Sequence, residues 1–255
     1  MINSPIIGII GGAGVAASIE ILHRFEMYYI QKGAQQNQEH PEIIMYQATQ
    51  APSRSLYLEG KGESFIPYYV EAAIKLKRAG ASFLCIACNT AHYAIEEISS
   101  SANIPIINLL EITAQHISNV LPNGGRIMIL CSEGSARYKI FNPYIFKYCT
   151  NVQLVYPNCD QQKLINQVIK SVKTGGAYVS NLSPNHPIIL LEQVFNNTML
   201  FDYIVVGCTE LSLAVKEYEH QKFIDTADLL VYSSAELYQT LKIKSNTNAE
   251  NADKN

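Results

Sequence analysis

The feature that most limits how this chain can fold is a strand-and-turn pattern that occurs twice at one fixed spacing. Ile6–Ile10 (IIGII) is a short apolar run that ends in Gly11, Gly12 and Gly14, and Arg126–Leu130 (RIMIL) runs likewise into Cys131-Ser132-Glu133-Gly134-Ser135. Phe83–Ile86 (FLCI) leads into Ala87-Cys88-Asn89, and Tyr203–Val206 (YIVV) leads into Gly207-Cys208-Thr209. Ile127 follows Ile7 by 120 residues, and Cys208 follows Cys88 by the same 120. α/β chains repeat strand–helix units in any case, but one offset shared by two separate elements points to two similar lobes.

The intervening segments read as further strands and helices. Ile19, Leu22, Phe25 and Tyr29 are spaced as one helical face, Ala72–Ala79 is helical and closed by Gly80, and a helix is predicted from Asn89 or Thr90 to Ser99. Strands are predicted at Ile43–Tyr46 and at Ile104-Pro105-Ile106-Ile107. Apolar strands alternating with helices imply parallel sheets covered on both faces. The expected fold class is therefore α/β, with two pseudo-symmetric lobes, each a mainly parallel sheet flanked by helices, and the active site in the cleft between them. Residues 1–115 plus about 222–244 are assigned to the first lobe and 116–221 to the second, with Pro122-Asn123-Gly124-Gly125 a turn near the boundary. Asp228–Lys242 has helical spacing and is expected to pack back on the first lobe, whereas the polar tail 245–255 (SNTNAENADKN) is expected to be disordered.

Composition narrows the function classes. The chain has 255 residues, 48% of them apolar and 16% charged, with a net charge of −3 and no basic stretch, so nucleic acid is a poor candidate partner. No apolar run approaches the ~20 residues needed to span a bilayer. The N-terminus Met1-Ile2-Asn3-Ser4-Pro5 carries no cationic, signal-like lead. Six cysteines in a chain long enough to build its own core are expected as free thiols in a reducing cytoplasm.

Cys88 and Cys208 are set apart from Cys85, Cys131, Cys149 and Cys159 by their matching positions, each where a buried strand ends and a helix begins. Asn89 or Thr90 after the first, and Thr209 after the second, are good N-cap residue types. A thiol at such a point feels the positive end of a helix, which favours thiolate. Two lobes facing each other bring the cysteines to opposite sides of one cleft. One base can then remove a proton from a carbon centre while a conjugate acid delivers another to the opposite face. Two other readings are weaker. Cys85-Ile86-Ala87-Cys88 is formally C-x-x-C, but Cys85 lies inside a predicted strand, and no second such pair exists to complete a metal site. Gly11-Gly12-Ala13-Gly14 lacks both the G-x-G-x-x-G order and the Lys of a P-loop, and fits close backbone approach to a small ligand.

Ile7-Gly8-Ile9-Ile10-Gly11-Gly12, Gln38-Glu39-His40-Pro41, Cys88-Asn89-Thr90-Ala91-His92 and Gly207-Cys208-Thr209-Glu210 resemble the aspartate/glutamate racemase family over nearly the whole chain. The resemblance implies a racemase of a small acidic amino acid that works without pyridoxal phosphate or metal, with Cys88 and Cys208 as its acid/base pair. It implies a homodimer whose partner is otherwise only a small molecule, with no membrane contact. Arg54 matches a family arginine that binds a substrate carboxylate, and Lys173 a lysine that reaches one. Asn89, Thr90 and Thr209 match substrate-contacting residues, and Ala13, Ala91 and Glu210 fall beside them in the same motifs. Where the family often has Gly-Gly-Met-Gly-Pro this chain has Gly11-Gly12-Ala13-Gly14-Val15, which loosens one pocket wall and with it strict aspartate specificity. The alternatives are a maleate-isomerase-like or hydantoin-racemase-like enzyme, or an amino-acid-binding protein without turnover.

Overall fold

The computed structural model describes residues 4–176, 186–195, 201–215 and 222–252, with side chains as far as 247. The first half runs β1 (Ile6–Gly11), α1 (Val15–Gln31), β2 (Glu42–Gln47), α2 (Arg54–Leu58), α3 (Ile66–Arg78), β3 (Phe83–Ile86), α4 (Ile95–Ala102) and α5 (Leu109–Val120). The second runs β4 (Gly125–Leu130), α6 (Glu133–Tyr138), α7 (Asn142–Tyr148), β5 (Val152–Val155), α8 (Cys159–Lys173), α9 (Pro187–Phe195), β6 (Tyr203–Val206), α10 (Thr209–Val215), β7 (Phe223–Asp225) and α11 (Thr226–Ala252).

These strands form two parallel sheets, ordered β2-β1-β3 and β5-β4-β6-β7. Their registers correspond residue for residue. Ile7 pairs with Phe83 and Ile10 with Ile86 in the first sheet, and Ile127 pairs with Tyr203 and Leu130 with Val206 in the second. Every member of the second set stands 120 residues after its counterpart. The same bond closes both ladders, Ala87 N–H donating to the Ile10 carbonyl (2.9 Å) and Gly207 N–H to the Leu130 carbonyl (2.7 Å). The apolar strands are covered on both faces: Ile10, Leu84 and Ile86 belong to one hydrophobic cluster, and Ile7, Ile9, Phe83 and Cys85 to another.

The structure departs from the sequence reading at several places in the fold. The strand expected at 104–107 is a single bridge from Ile106 to Leu84, in the place where β7 lies against β6 in the second sheet. Pro105 has no N–H to extend a ladder, and Asn108 caps α5 directly afterwards through bonds from Leu110 N–H (3.1 Å) and Glu111 N–H (3.2 Å). On α1 the buried face is Ala17, Ser18, Ile21, Phe25 and Tyr29, while Ile19 is 51% exposed. Ser18 fixes that phase, because its hydroxyl accepts from Gly12 N–H (2.9 Å) and donates to the Gly14 carbonyl (2.9 Å).

The chain from 222 begins in the second sheet as β7, and only then crosses to the first as α11. There Ala227, Leu230, Val231, Ala235 and Tyr238 join the cluster of Ile7, Ile9, Ile21 and Phe25. Finally, α11 continues to Ala252 through the stretch whose composition suggests disorder. No Gly or Pro interrupts it, and Ser245 and Thr247 hydroxyls bond back to the Leu241 (2.9 Å) and Ile243 (3.0 Å) carbonyls. Residues 253–255 lie outside the described part.

An ion cluster around the buried Arg24 ties the halves together. Arg24 on α1 bonds Glu20 (2.8 Å), Asp225 (2.8 Å) and Asp228 (2.7 Å), and reaches the Ser212 carbonyl on α10 (3.4 Å). Among the described residues, no helix is long and apolar enough to cross a membrane.

Candidate active site

Cys88 and Cys208 each follow their strand by two residues, at the carboxyl ends where open parallel sheets place ligands. The turns that carry them are bonded to each other. Thr209 Oγ1 donates to the Ala87 carbonyl (3.2 Å), so the residue after one cysteine holds the residue before the other. In the reverse direction Asn89 Nδ2 donates to Thr226 Oγ1 (3.0 Å), which donates to the Val206 carbonyl (2.7 Å). His92 Nδ1–H holds the Cys88 carbonyl at 2.8 Å.

These bonds correct the expectation that Asn89 and Thr209 cap their own helices. Asn89 has helical dihedrals (φ −58°, ψ −45°), caps nothing, and leads into a 3-10 turn over Thr90–Ala94 before α4. Its Oδ1 is buried with no partner among the described residues. Thr90 Oγ1 meets two hydroxyls from the other half, Ser132 Oγ (3.0 Å) and Ser135 Oγ (2.9 Å). The Ala91 side chain belongs to the hydrophobic cluster around Ile86 and Ile98.

The two thiols have unlike surroundings. Cys208 Sγ donates to Glu210 Oε2 (3.0 Å), and Glu210 Oε1 stands 3.3 Å from Lys173 Nζ. Gly14 makes room for that carboxylate, since a Cβ there would lie 2.4 Å from Glu210 Oε1. Burial, and then the Glu210 carboxylate, push the Cys208 thiol well above the ordinary range, against the opposing pull of Lys173. The thiolate expected from a helix start is thus not favoured at Cys208. Two turns of α10 give a weak dipole, which desolvation and an adjacent anion outweigh.

Around Cys88 stand Arg54 and Tyr69. Arg54 Nη2 donates to the Ala13 carbonyl (2.9 Å) and Nη1 to those of Pro52 (3.0 Å) and Ala51 (3.3 Å), while the buried Nε has no hydrogen-bond partner among the described residues. Burial opposes its charge, but Cys88, Tyr69 and Glu210 raise its pKa above the usual guanidinium range. The guanidinium lies 5.9 Å from the Tyr69 ring centre. The buried Tyr69 hydroxyl, likewise without a geometric partner, has its pKa raised by burial and then by Cys88. Nothing in the sequence marked Tyr69, whose helical spacing on α3 reads as a core aromatic. Lys173 is half-exposed; burial works against its charge, and Glu210 holds its pKa above the usual range.

The remaining cysteines are apart from this chemistry. Cys85, Cys131 and Cys149 are buried and Cys159 is exposed.

The family model described as Asp/Glu/Hydantoin racemase matches residues 10–233. The chain belongs to this family. A broad-specificity amino-acid racemase, RacX, from Bacillus subtilis (strain 168) is 23% identical over 242 residues, 91% of this chain and 97% of the relative. The Picrophilus torridus aspartate racemase has the same fold, with a TM-score of 0.78 at 21% identity over 92% of this chain and 95% of its own. The glutamate racemase of Campylobacter jejuni subsp. jejuni is similar with a TM-score of 0.61 at 17% identity, over 91% of this chain and 85% of its own. The two-lobed architecture is thus the one found in solved Asp/Glu racemases.

Proposed function

We propose that this family member racemises a small, acidic amino acid without pyridoxal phosphate, Cys88 and Cys208 exchanging the α-proton on opposite faces of the substrate. The observation that carries the reading is the pair of cysteines at corresponding ends of two sheets in one register, their turns cross-bonded through Thr209–Ala87 and Asn89–Thr226. Neither thiol can shift freely against the other, which suits two groups that must address one carbon. Removing an α-proton leaves a carbanion, and cations paired with the substrate carboxylates lower its cost. Arg54 and Lys173 supply two cations that each sense Cys88, and two carboxylates are what an acidic amino acid offers. Asn89 Oδ1, buried and without a partner among the described residues, is suited to accept from a substrate ammonium.

The test is a panel of L- and D-amino acids in heavy water, with hydantoins and maleate alongside, following α-deuteration and chirality together. Wild type should exchange and racemise aspartate or glutamate. Cys88→Ser and Cys208→Ser should each lose racemisation, by at least about 10²-fold, while keeping exchange of one enantiomer. Near wild-type racemisation in both variants sinks the two-thiol mechanism. Turnover of hydantoin or maleate alone replaces the substrate class, and stabilising binding without exchange replaces catalysis altogether.

A further inference from the structure

The sheets that carry the cysteines match in register, but the residue two positions after each cysteine differs in charge. After Cys88 it is Thr90, a neutral hydroxyl bonded to Ser132 and Ser135. After Cys208 it is Glu210, a carboxylate only 4% exposed. One Glu210 oxygen receives the Cys208 thiol at 3.0 Å and the other faces Lys173 at 3.3 Å.

We infer that Glu210 is a positioning residue: its carboxylate, held in place by Lys173 and receiving the hydrogen bond from Cys208, keeps the proton on Cys208 in the free protein against the opposing pull of Lys173, so that Cys208 enters the reaction as the acid and Cys88 as the base. The first half of this concerns the free protein alone, whereas the second rests on the racemase reading above. The physical reason is that a thiolate and a carboxylate at hydrogen-bond distance repel strongly in a dry site, whereas a thiol and a carboxylate attract. Lys173 offsets one negative charge, not two.

The charged and titratable groups around this thiol are consistent with that assignment. Glu210 comes from its own helix, Lys173 from α8 and Cys88 from the end of β3 in the other sheet. On α1, also packed against α10, Arg24 is engaged by Glu20, Asp225 and Asp228. At the head of α9, His186 Nδ1 accepts from Ile188 N–H (3.4 Å), and Glu192 on that helix is exposed.

In turnover, the α C–H bond breaks with its proton passing to the Cys88 sulfur and its electron pair remaining on the α-carbon. The Cys208 S–H bond then breaks with its pair remaining on sulfur, and that proton forms the new C–H bond on the opposite face. The protein is left with Cys88 as thiol and Cys208 as thiolate beside Glu210, a form that the carboxylate disfavours. The two enantiomers are therefore served by protonation forms of unequal population.

The experiment is alkylation of the full chain by iodoacetamide across a pH series, reading the Cys208 peptide by mass spectrometry with exposed Cys159 as the internal reference. In wild type the Cys208 midpoint should lie above that of Cys159. Glu210→Gln should lower the Cys208 midpoint by about one pH unit or more, roughly tenfold more thiolate at neutral pH. Lys173→Gln should move it upward, and Glu210→Asp, which keeps the anion, should hold it near wild type. An unchanged midpoint in Glu210→Gln overturns the inference. Should that variant fail to fold, Glu210→Thr, which supplies the residue type found at the corresponding position 90, decides in its place, a lowered midpoint supporting the inference and an unchanged one overturning it. Because alkylation needs no turnover, a chain that racemises nothing sinks the proposed function and leaves this reading of Cys208 standing.

Discussion

Replacing Thr226 with Val tests whether the two cysteine turns depend on the bonds between them. Thr226 is 0% exposed, accepts from Asn89 Nδ2 at 3.0 Å and donates to the Val206 carbonyl at 2.7 Å. Valine keeps the shape and removes both bonds. Asn89, 1% exposed, then has a buried amide with neither of its polar ends bonded to the protein. Stranding a buried donor costs about 1–3 kcal/mol, and the Val206 carbonyl adds a similar amount, partly offset by burial of the new methyl. The expected loss is about 2–4 kcal/mol. At roughly 2–4 °C per kcal/mol for a chain of this size, the melting midpoint should fall by about 5–15 °C.

Calorimetry on wild type, Thr226→Val, Asn89→Ala and the double variant closes a cycle whose coupling should be about 1–2 kcal/mol. Freed of its anchor, Asn89 should also lower kcat in Thr226→Val more than it raises KM. A Thr226→Val melting curve superimposed on wild type, with additive single variants, would refute the claim that these bonds hold the two cysteine turns together.

Other consequences follow from the same geometry. Gly8→Ala places a Cβ 2.3 Å from Leu84 Cδ2 and 2.9 Å from Ala81 Cβ, so urea unfolding should show a loss of about 1–3 kcal/mol; equal stability would mean that β1 and β3 separate more easily than their packing implies. Burial pushes the His92 imidazole down to about 4, although backbone carbonyls of Cys88 and Ile107 favour its proton. The unfolded chain, titrating near the ordinary ~6.5, then binds the extra proton between those values. Stability should accordingly fall as pH drops from about 6.5 toward 4, and His92→Gln should flatten that slope; an unchanged slope would place the acid sensitivity elsewhere. Arg54→Ala removes a buried cation and should raise KM for acidic substrates by roughly 10–100-fold, while kinetics identical to wild type would remove Arg54 from the site.

What could be read in the sequence beforehand was whatever repeats or is locally encoded. The 120-residue offset was legible because β1, β3, β4 and β6 are buried on both faces and so carry unbroken apolar runs. Spacing alone puts Ile19 on the buried face, because an apolar residue at helical spacing says nothing about phase, which here is set by Ser18 bonding to Gly12 and Gly14. The capping expectation failed for a related reason. Asn89 and Thr209 are good capping types, yet their side chains bond partners 137 and 122 residues away. No local window contains such partners. Tyr69 and the Ser132–Ser135 pair were missed on the same account, since their meaning lies in what faces them across the fold.

The duplicated backbone and the unequal side chains have different consequences for a two-thiol reaction. Matching registers supply two sulfurs at corresponding strand ends, and in the proposed reaction that alone would give two protonation forms of equal energy, each serving one enantiomer. The free protein would then be divided between them. Threonine at 90 and glutamate at 210 break the equality in charge, because only one of the two can hold a negative charge beside its cysteine. Gly14 admits that charge and Lys173 balances it, so three residues from separate segments serve one asymmetry. A Glu210→Thr variant would remove the one anion that stands beside a cysteine in only one of the two turns. The pH profiles for α-deuteration of the L and D enantiomers should then converge, and profiles that stay as far apart as in wild type would mean that the inequality of the thiols arises elsewhere than at Glu210.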